Sequence, residues 1–244
     1  MEPTSNCSSA SGGARFAGAA AIMQAIESQN VILYQADLRG QWPERAAQAF
    51  TAQLPYARRL ALRRGSGAGH ASLAGIALAL RALSELLGRK VRADEIVFAH
   101  GEKPRLARPL ALAVGASRLR QPRATRYEDG TIEADFSISH TGPWVACVAL
   151  ARGCVGLDLE MGGDERVADW VLREAALKAS GEGLRALREV QDLTLHEGIL
   201  RRRGESWHVQ RLEGFEGASA CIVCSGAMPA VERHALALGE LFLS

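Results

Sequence analysis

The chain has 244 residues, of which 48% are hydrophobic and 23% charged, a composition typical of globular proteins that fold in water. Its net charge is only +2, so no overall electrostatic field favours nucleic acid as a partner. Five cysteines form an odd set without framework spacing, which indicates a reducing compartment. The N-terminus lacks the pattern of a signal peptide and charges interrupt the apolar stretches, so we expect a cytoplasmic protein without a membrane span.

The first half of the chain predicts more helix than strand. We expect residues 1–28 to comprise a loose segment rich in Ser and Gly over 1–13 and a short Ala-rich helix over 14–28. A strand at 31–34 precedes two short helices over 44–53 and 56–64, which Pro55 separates. Glycines at 65–69 lead into a long amphipathic helix over about 70–87, and a strand over 95–98 precedes a turn at 101–104.

The second half predicts mainly strands. Alternating or continuous apolar runs indicate strands at 136–140, 144–150 and 155–160, then a helix over about 166–180, then strands near 193–200, 206–212 and 218–225. The order of strand, helix and strand occurs in both halves. We therefore predict an α+β fold with two structurally similar halves, residues 29–126 and 127–244, related by a pseudo-twofold axis, and an active site between them.

Two acidic blocks near the middle of the chain carry the chemistry. In the strand Val155–Glu160 the side chains alternate, so Asp158 and Glu160 share one face of the strand. In the following helix Glu174 and Lys178 are four residues apart and share a face. Three carboxylates and a lysine that converge there are suited to a hard cation and a pyrophosphate.

These blocks occur with two further motifs, Phe136–His140 and the turn Gly101–Pro104. Together with the Gly-x-Asp-x-Glu strand and the helix from Trp170 to Lys178, they stand in the order found in one enzyme family. The chain resembles the 4'-phosphopantetheinyl transferases of the Sfp type over roughly residues 55–185.

The resemblance implies transfer of 4'-phosphopantetheine from coenzyme A to a serine of an acyl or peptidyl carrier protein in fatty acid, polyketide or nonribosomal peptide biosynthesis. It implies that Asp158, Glu160 and Glu174 bind Mg²⁺, and that Asp158, Glu174 and Lys178 are catalytic, with Lys178 on the pyrophosphate. The residues implied to bind the adenosine end of coenzyme A are Lys103, Pro104, Ser139 and His140. We expect one chain to be sufficient as a monomer.

Each motif alone has a simpler interpretation. Asp158 and Glu160 alone suit a solvated strand face, and Glu174 and Lys178 alone suit an ion pair on a helix surface. His140 alone suits a hydrogen-bonded strand end, and the other histidines show no ligand spacing. Cys221 and Cys224 lie three apart in a predicted strand and face opposite sides, so they predict no metal site.

Two other functions remain open at this point. The first is a protein that binds carrier protein or coenzyme A without turnover. It remains open because only about ten residues separate the two acidic blocks here, whereas about forty residues usually separate them in the family. Arg173 also replaces the family's lysine, and Ala71 stands where relatives have arginine. The other is a different Mg²⁺-dependent enzyme acting on a nucleotide diphosphate.

Overall fold

The computed structural model describes residues 31–64, 69–98, 103–107, 134–183, 193–202, 204–226 and 228–243. Its helices and strands, in chain order, are β1 Val31–Asp37, α1 Glu44–Gln53, α2 Tyr56–Arg64, α3 Gly69–Leu86, β2 Ile96–Val97, β3 Arg105–Leu106, β4 Asp135–Thr141, β5 Trp144–Leu150, β6 Val155–Met161, α4 Glu165–Ser180, β7 Thr194–His196, β8 Ile199–Arg202, β9 Glu205–Arg211, β10 Ala218–Ser225 and β11 Val231–Leu236. The short N-terminal helix, the glycines at 65–68 and the first two residues of the turn at 101–104 lie outside the described residues.

The described part of the chain combines α-helices with two main β-sheets and is therefore of mixed α+β class. The first sheet has the strand order β11-β1-β5-β4, and the second has the order β6-β10-β9-β8-β7. Only β1 and β11 pair in parallel, while the other strand pairs are antiparallel. A separate two-stranded pair joins β2 to β3.

The sheets lie face to face and each carries one long helix on its outer face. Strand β5 shows this layering, because Val145 and Cys147 belong to the core beneath α3. Their neighbours Ala146 and Val148 belong to the core between the two sheets. A third core lies between α4 and the second sheet. Buried on both faces, β5 is a continuous apolar run rather than an alternating one.

Strands β4 and β6 are edge strands of different sheets and run side by side in the same direction. No backbone ladder joins them in the described sheets, and polar side chains of β4 bridge them instead. Val155 N donates to Asp135 Oδ2 (2.7 Å), Leu159 N to Ser139 Oγ (3.3 Å) and Met161 N to Thr141 Oγ1 (3.2 Å). We call this contact the polar seam. It brings the Ser-His segment of β4 beside the acidic strand β6.

Helix α4 follows β6 after only residues 162–164. Asp164 caps the helix, because its Oδ1 accepts hydrogen bonds from the backbone amides of Arg166 and Val167. The helix ends at Gly181, which has a left-handed conformation with φ of 72°. These caps fix the start and the end of α4 relative to β6, so the predicted helix over 166–180 is confirmed within one residue.

Gly156 allows α4 to lie directly on β6. A Cβ atom built at this position would lie 1.9 Å from the carbonyl oxygen of Ala175 and 2.5 Å from the amide nitrogen of Ala179. Both atoms belong to the helix backbone, so any side chain at 156 would force the two elements apart. This close approach explains in physical terms why the acidic strand carries a glycine.

The structure differs from the sequence-based expectation in three places. The expected strand near 193–200 is a hairpin of β7 and β8, turned by Glu197 and Gly198, which both have positive φ. The segment 95–98 forms only the two-residue β2, preceded by a 3-10 turn. Strand β11 was not predicted. Among the described helices, none combines the length and apolar character that crossing a membrane requires.

Candidate functional site

The three predicted carboxylates come together between β6 and α4. Possible ligand oxygens of Asp158, Glu160 and Glu174 all lie within 4.8 Å of one another. Asp158 and Glu160 come from the same face of β6, and Glu174 comes from the helix that Gly156 allows onto that strand. We call these three residues the acidic cluster.

Asp158 is almost completely buried, at 1% exposure, and its two oxygens have different surroundings. Oδ1 accepts hydrogen bonds from Lys178 Nζ (2.5 Å) and Ser139 Oγ (2.9 Å). Oδ2 is inaccessible to solvent and has no hydrogen-bond partner. A buried carboxylate oxygen without a partner is unfavourable unless a cation satisfies it. The burial also excludes the simpler interpretation of Asp158 as part of a solvated strand face.

Lys178 pairs with the strand rather than with its own helix. Its ion pair is with Asp158, and Lys178 Nζ also donates to Ser139 Oγ at 3.1 Å. The lysine side chain keeps 25% exposure, whereas that of Asp158 keeps 2%. The interpretation of Glu174 and Lys178 as a surface ion pair within the helix therefore does not describe this lysine.

Burial and mutual repulsion make two of the carboxylates hard to ionise. Burial is the largest cause that raises the pKa of Asp158, and it outweighs the lowering effect of Lys178. Burial also raises the pKa of Glu174, and the negative charges of Asp158 and Glu160 raise it further. Full ionisation of the acidic cluster therefore needs more positive charge nearby than Lys178 alone supplies.

The acidic cluster can hold a metal ion. Its possible ligands are all carboxylate oxygens, which hard divalent cations prefer. The partnerless Oδ2 of Asp158 supplies an independent observation, because a cation bound there would satisfy it. A hydrogen bond also holds the side chain of Glu160 in position, because its Oε2 accepts from Thr141 Oγ1 at 3.3 Å.

Ser139 and His140 lie beside the acidic cluster at the end of β4. Ser139 is buried, donates to Asp158 and accepts from Lys178 and from the amide of Leu159. His140 is exposed at the mouth of the site, yet desolvation and secondly the charge of Lys178 lower the pKa of its imidazole. A neutral imidazole at this position can donate or accept a hydrogen bond.

Lys103 lies at the other end of the polar seam. Its Nζ donates to Asp135 Oδ2 (2.5 Å) and to the carbonyl oxygen of Val155 (2.7 Å), where β6 begins. Val155 and Asp158 are three positions apart in the strand, a span of about 10 Å. Pro104 follows Lys103 and is partly exposed, without regular secondary structure.

Sequence reasoning missed two residues of this region, Asp135 and Thr141. Asp135 binds Lys103, and Thr141 donates to Glu160. The polar residues at 135, 137, 139 and 141 alternate with other residues, so the period of a strand puts all four on one face. That alternation was the available signal.

None of the described cysteines belongs to the acidic cluster. Cys147, Cys154, Cys221 and Cys224 are all buried. Burial raises the pKa of Cys221 to about 12 and that of Cys224 to about 11, which keeps both thiols protonated. The two belong to cores on opposite faces of β10, which confirms the predicted opposite orientation.

No family model matches the chain, and no curated protein sequence matches it either. The function must therefore be argued from the residues of the site.

A Glu174→Gln variant is expected to melt a few degrees above the wild type at pH 7.5. The folded protein raises the pKa of Glu174, so the folded state binds this proton more tightly than the unfolded state does. The free energy of unfolding therefore falls as pH rises from the ordinary Glu value towards the raised one. Below about pH 4 Glu174 is protonated in both the folded and the unfolded state, so the difference in melting temperature between the variant and the wild type should disappear.

Thermal melts at both pH values test this expectation, with Glu165→Gln as the matched control. Glu165 is exposed in the first turn of α4, outside the acidic cluster, and its variant should not gain stability. Added Mg²⁺ should raise the melting temperature of the wild type more than that of Glu174→Gln. Equal melting of wild type and Glu174→Gln at pH 7.5 would show that the charge of Glu174 costs no stability.

Proposed function

We propose that this protein is a Mg²⁺-dependent 4'-phosphopantetheinyl transferase. The substrate is coenzyme A, and the acceptor is a serine of an acyl or peptidyl carrier protein. The observation that carries the proposal is the acidic cluster around the partnerless Oδ2 of Asp158, with Lys178 bound to the other oxygen of that carboxylate. The family motifs in their expected order support it.

In this proposal Asp158, Glu160 and Glu174 hold the cation. Bound Mg²⁺ supplies the positive charge that a diphosphate needs in order to become a leaving group. Oδ2 of Asp158 would be the oxygen for the cation, because Oδ1 already accepts hydrogen bonds from Lys178 and Ser139. Ser139 thereby fixes the orientation of the carboxylate.

Lys178 is the cation that the protein itself supplies to the pyrophosphate. Its amino group is held by Asp158 and Ser139 and its side chain is partly exposed, so it needs little reorganisation to contact a phosphate oxygen. A lysine suits this position because its compact charge does not impose the planar geometry of an arginine.

Glu174 accepts the proton of the attacking serine. A bond forms between the serine oxygen and the phosphorus that carries the pantetheine arm, and the phosphoanhydride bond to adenosine 3',5'-bisphosphate breaks. Glu174 is the carboxylate of the cluster that comes from α4 rather than β6, and in this proposal it serves as the general base. His140, at the mouth of the site, and the more distant Lys103 with Pro104 bind the adenosine end.

The same proposal includes the symmetric architecture. In this proposal the pseudo-twofold axis relates two units, each made of one sheet and one long helix, in the layer order α3, first sheet, second sheet and α4. The first sheet takes β1 from residues 29–126 and β4, β5 and β11 from residues 127–244. The active site then lies where β6 of one sheet meets β4 of the other. Because one chain supplies both strands, a monomer is sufficient for the reaction. The proposal places this monomer in the cytoplasm.

A carrier-binding protein without turnover is the second candidate. The observation that favours it is the connection of β6 to α4 through residues 162–164 alone, which leaves no separate element between the two acidic motifs. Such a protein would keep affinity for coenzyme A or carrier protein but would not release adenosine 3',5'-bisphosphate.

Mass spectrometry of an apo carrier protein incubated with this protein, coenzyme A and Mg²⁺ tests the proposal. We expect the carrier to gain the mass of one phosphopantetheine, and we expect no gain with EDTA or with a carrier whose acceptor serine is alanine. Several fatty acid, polyketide and peptide carriers should be tried. If none is modified while coenzyme A still binds, the second candidate replaces the first.

A further inference from the structure

A second group of possible metal ligands lies on the first sheet, and its residues are distant in sequence from those of the acidic cluster. It consists of Glu85 near the end of α3 and of Glu232 and His234 in β11. One possible ligand atom from each residue lies within 4.8 Å of those of the other two. Glu232 and His234 are two residues apart in a strand, so they point to the same side.

His234 Nε2 faces two carboxylates without a hydrogen bond to either. It lies 3.3 Å from Glu85 Oε1 and 3.5 Å from Glu232 Oε1, is inaccessible to solvent and has no hydrogen-bond partner. In a tetrahedral zinc site with bonds near 2.05 Å, neighbouring ligand atoms are about 3.3 Å apart. The two nitrogen–oxygen distances are thus close to tetrahedral ligand spacing, and possible ligand atoms of the two carboxylates lie within 4.8 Å of each other.

Tyr34 holds two of these ligands in place. Its hydroxyl donates to Glu85 Oε2 at 2.5 Å, which leaves Glu85 Oε1 turned towards His234. The Tyr34 ring also stacks on the His234 ring, with centroids 4.7 Å apart, because the two residues are register partners in β1 and β11. Burial, and secondly the bond to Glu85, raise the pKa of Tyr34 to about 12, so the hydroxyl remains a donor. Oriented ligands of this kind are typical of metal sites.

The charges around these residues favour a cation. Arg81 is the arginine of α3, and its guanidinium donates to the carbonyl oxygens of Glu240 and Leu243 in the C-terminal turn. Glu85 and Glu232 therefore share the imidazole of His234 as their common partner. The three side chains are partly exposed, which leaves an open side for a water molecule as a fourth ligand.

We propose that Glu85, Glu232 and His234 bind Zn²⁺ and thereby clip the last strand of the first sheet to α3. One imidazole nitrogen with two carboxylate oxygens suits Zn²⁺ and its surrogate Co²⁺ better than Mg²⁺, which prefers oxygen ligands alone. The site is separate from the acidic cluster and does not depend on the proposed transferase activity.

Titration of the metal-free full-length protein with Co²⁺ tests this proposal. Tetrahedral Co²⁺ with nitrogen and oxygen ligands gives intense visible bands, whereas octahedral Co²⁺ gives weak ones. The wild type and Glu174→Gln should both show the intense bands at one ion per chain, and Zn²⁺ should displace them. His234→Ala and Glu232→Gln should lose the bands, and Tyr34→Phe should bind about tenfold more weakly.

His196→Ala is the matched control. His196 and Glu197 form an exposed His-carboxylate pair, and among the described residues no third ligand completes that pair. The control should bind Co²⁺ like the wild type, and Zn²⁺ should raise its melting temperature but not that of His234→Ala. Absence of the bands in the wild type, their survival in His234→Ala, or their loss in Glu174→Gln alone would each overturn the proposal.

Discussion

An Asp158→Asn variant is expected to load a carrier protein on the order of 1000-fold more slowly than the wild type. The substitution keeps the shape of the side chain and an oxygen for Lys178 and Ser139, both of which now donate to Asp158 Oδ1. It removes the negative charge, and with it the anionic oxygen that has no partner in the protein. Initial rates of phosphopantetheine transfer, measured by mass spectrometry, give the ratio directly.

The matched control for this experiment is Asp169→Asn. Asp169 lies on the outer surface of α4, is 54% exposed and pairs with Arg173 rather than with the acidic cluster. Its variant should retain the wild-type rate within about twofold, because an exposed pair of this kind contributes little. Circular dichroism should show both variants folded. Transfer by Asp158→Asn at a rate close to that of the control would remove Asp158 from the mechanism.

A Gly156→Ala variant is expected to lose about 3 kcal/mol of stability. The added methyl would meet the backbone of α4 at Ala175 and Ala179, and helix backbone cannot rotate away as a side chain can. Helix and strand must therefore separate, which opens the core between α4 and the second sheet. Denaturant unfolding followed by circular dichroism measures the change in the free energy of unfolding.

Gly163→Ala provides the control in the same segment. A Cβ atom at Gly163 would meet nothing within 4 Å, so the variant should unfold like the wild type. The rate of transfer by Gly156→Ala should fall together with its stability, because separation of α4 from β6 also moves Glu174 and Lys178 away from Asp158. A Gly156→Ala protein as stable as Gly163→Ala would mean that α4 does not lie as close to β6 as described.

The convergence of the acidic cluster could be predicted because local periodicity fixes each part of it. The period of a strand places Asp158 and Glu160 on one face, and the cap at Asp164 together with Gly181 fixes the turn of helix that carries Glu174. The partner of Lys178 could not be predicted in this way. Helix spacing names only neighbours within the helix, whereas the closest anion lies on the strand below.

Strand β11 could not be predicted because its sequence lacks the apolar alternation of a half-buried strand. Glu232, Arg233 and His234 are consecutive polar residues, yet the segment pairs in parallel with β1, which lies almost at the other end of the described chain. Contacts of this kind depend on the assembled sheet and leave no local signal. The group of Glu85, Glu232 and His234 was invisible in the sequence for the same reason.

The polar seam also affects whether strands of other protein molecules can pair with the sheets. An unpaired edge strand is a template onto which a strand from a second chain can add, the first step of many aggregates. Strands β4 and β6 cover each other's edges, and their polar bridges satisfy amides that would otherwise be available for such addition. In the two large sheets the remaining described edges are β7, only three residues long, and β11, with its charged side chains. Short and charged edges resist strand addition, so the architecture that assembles the site also protects the folded chain from polymerising through its sheets.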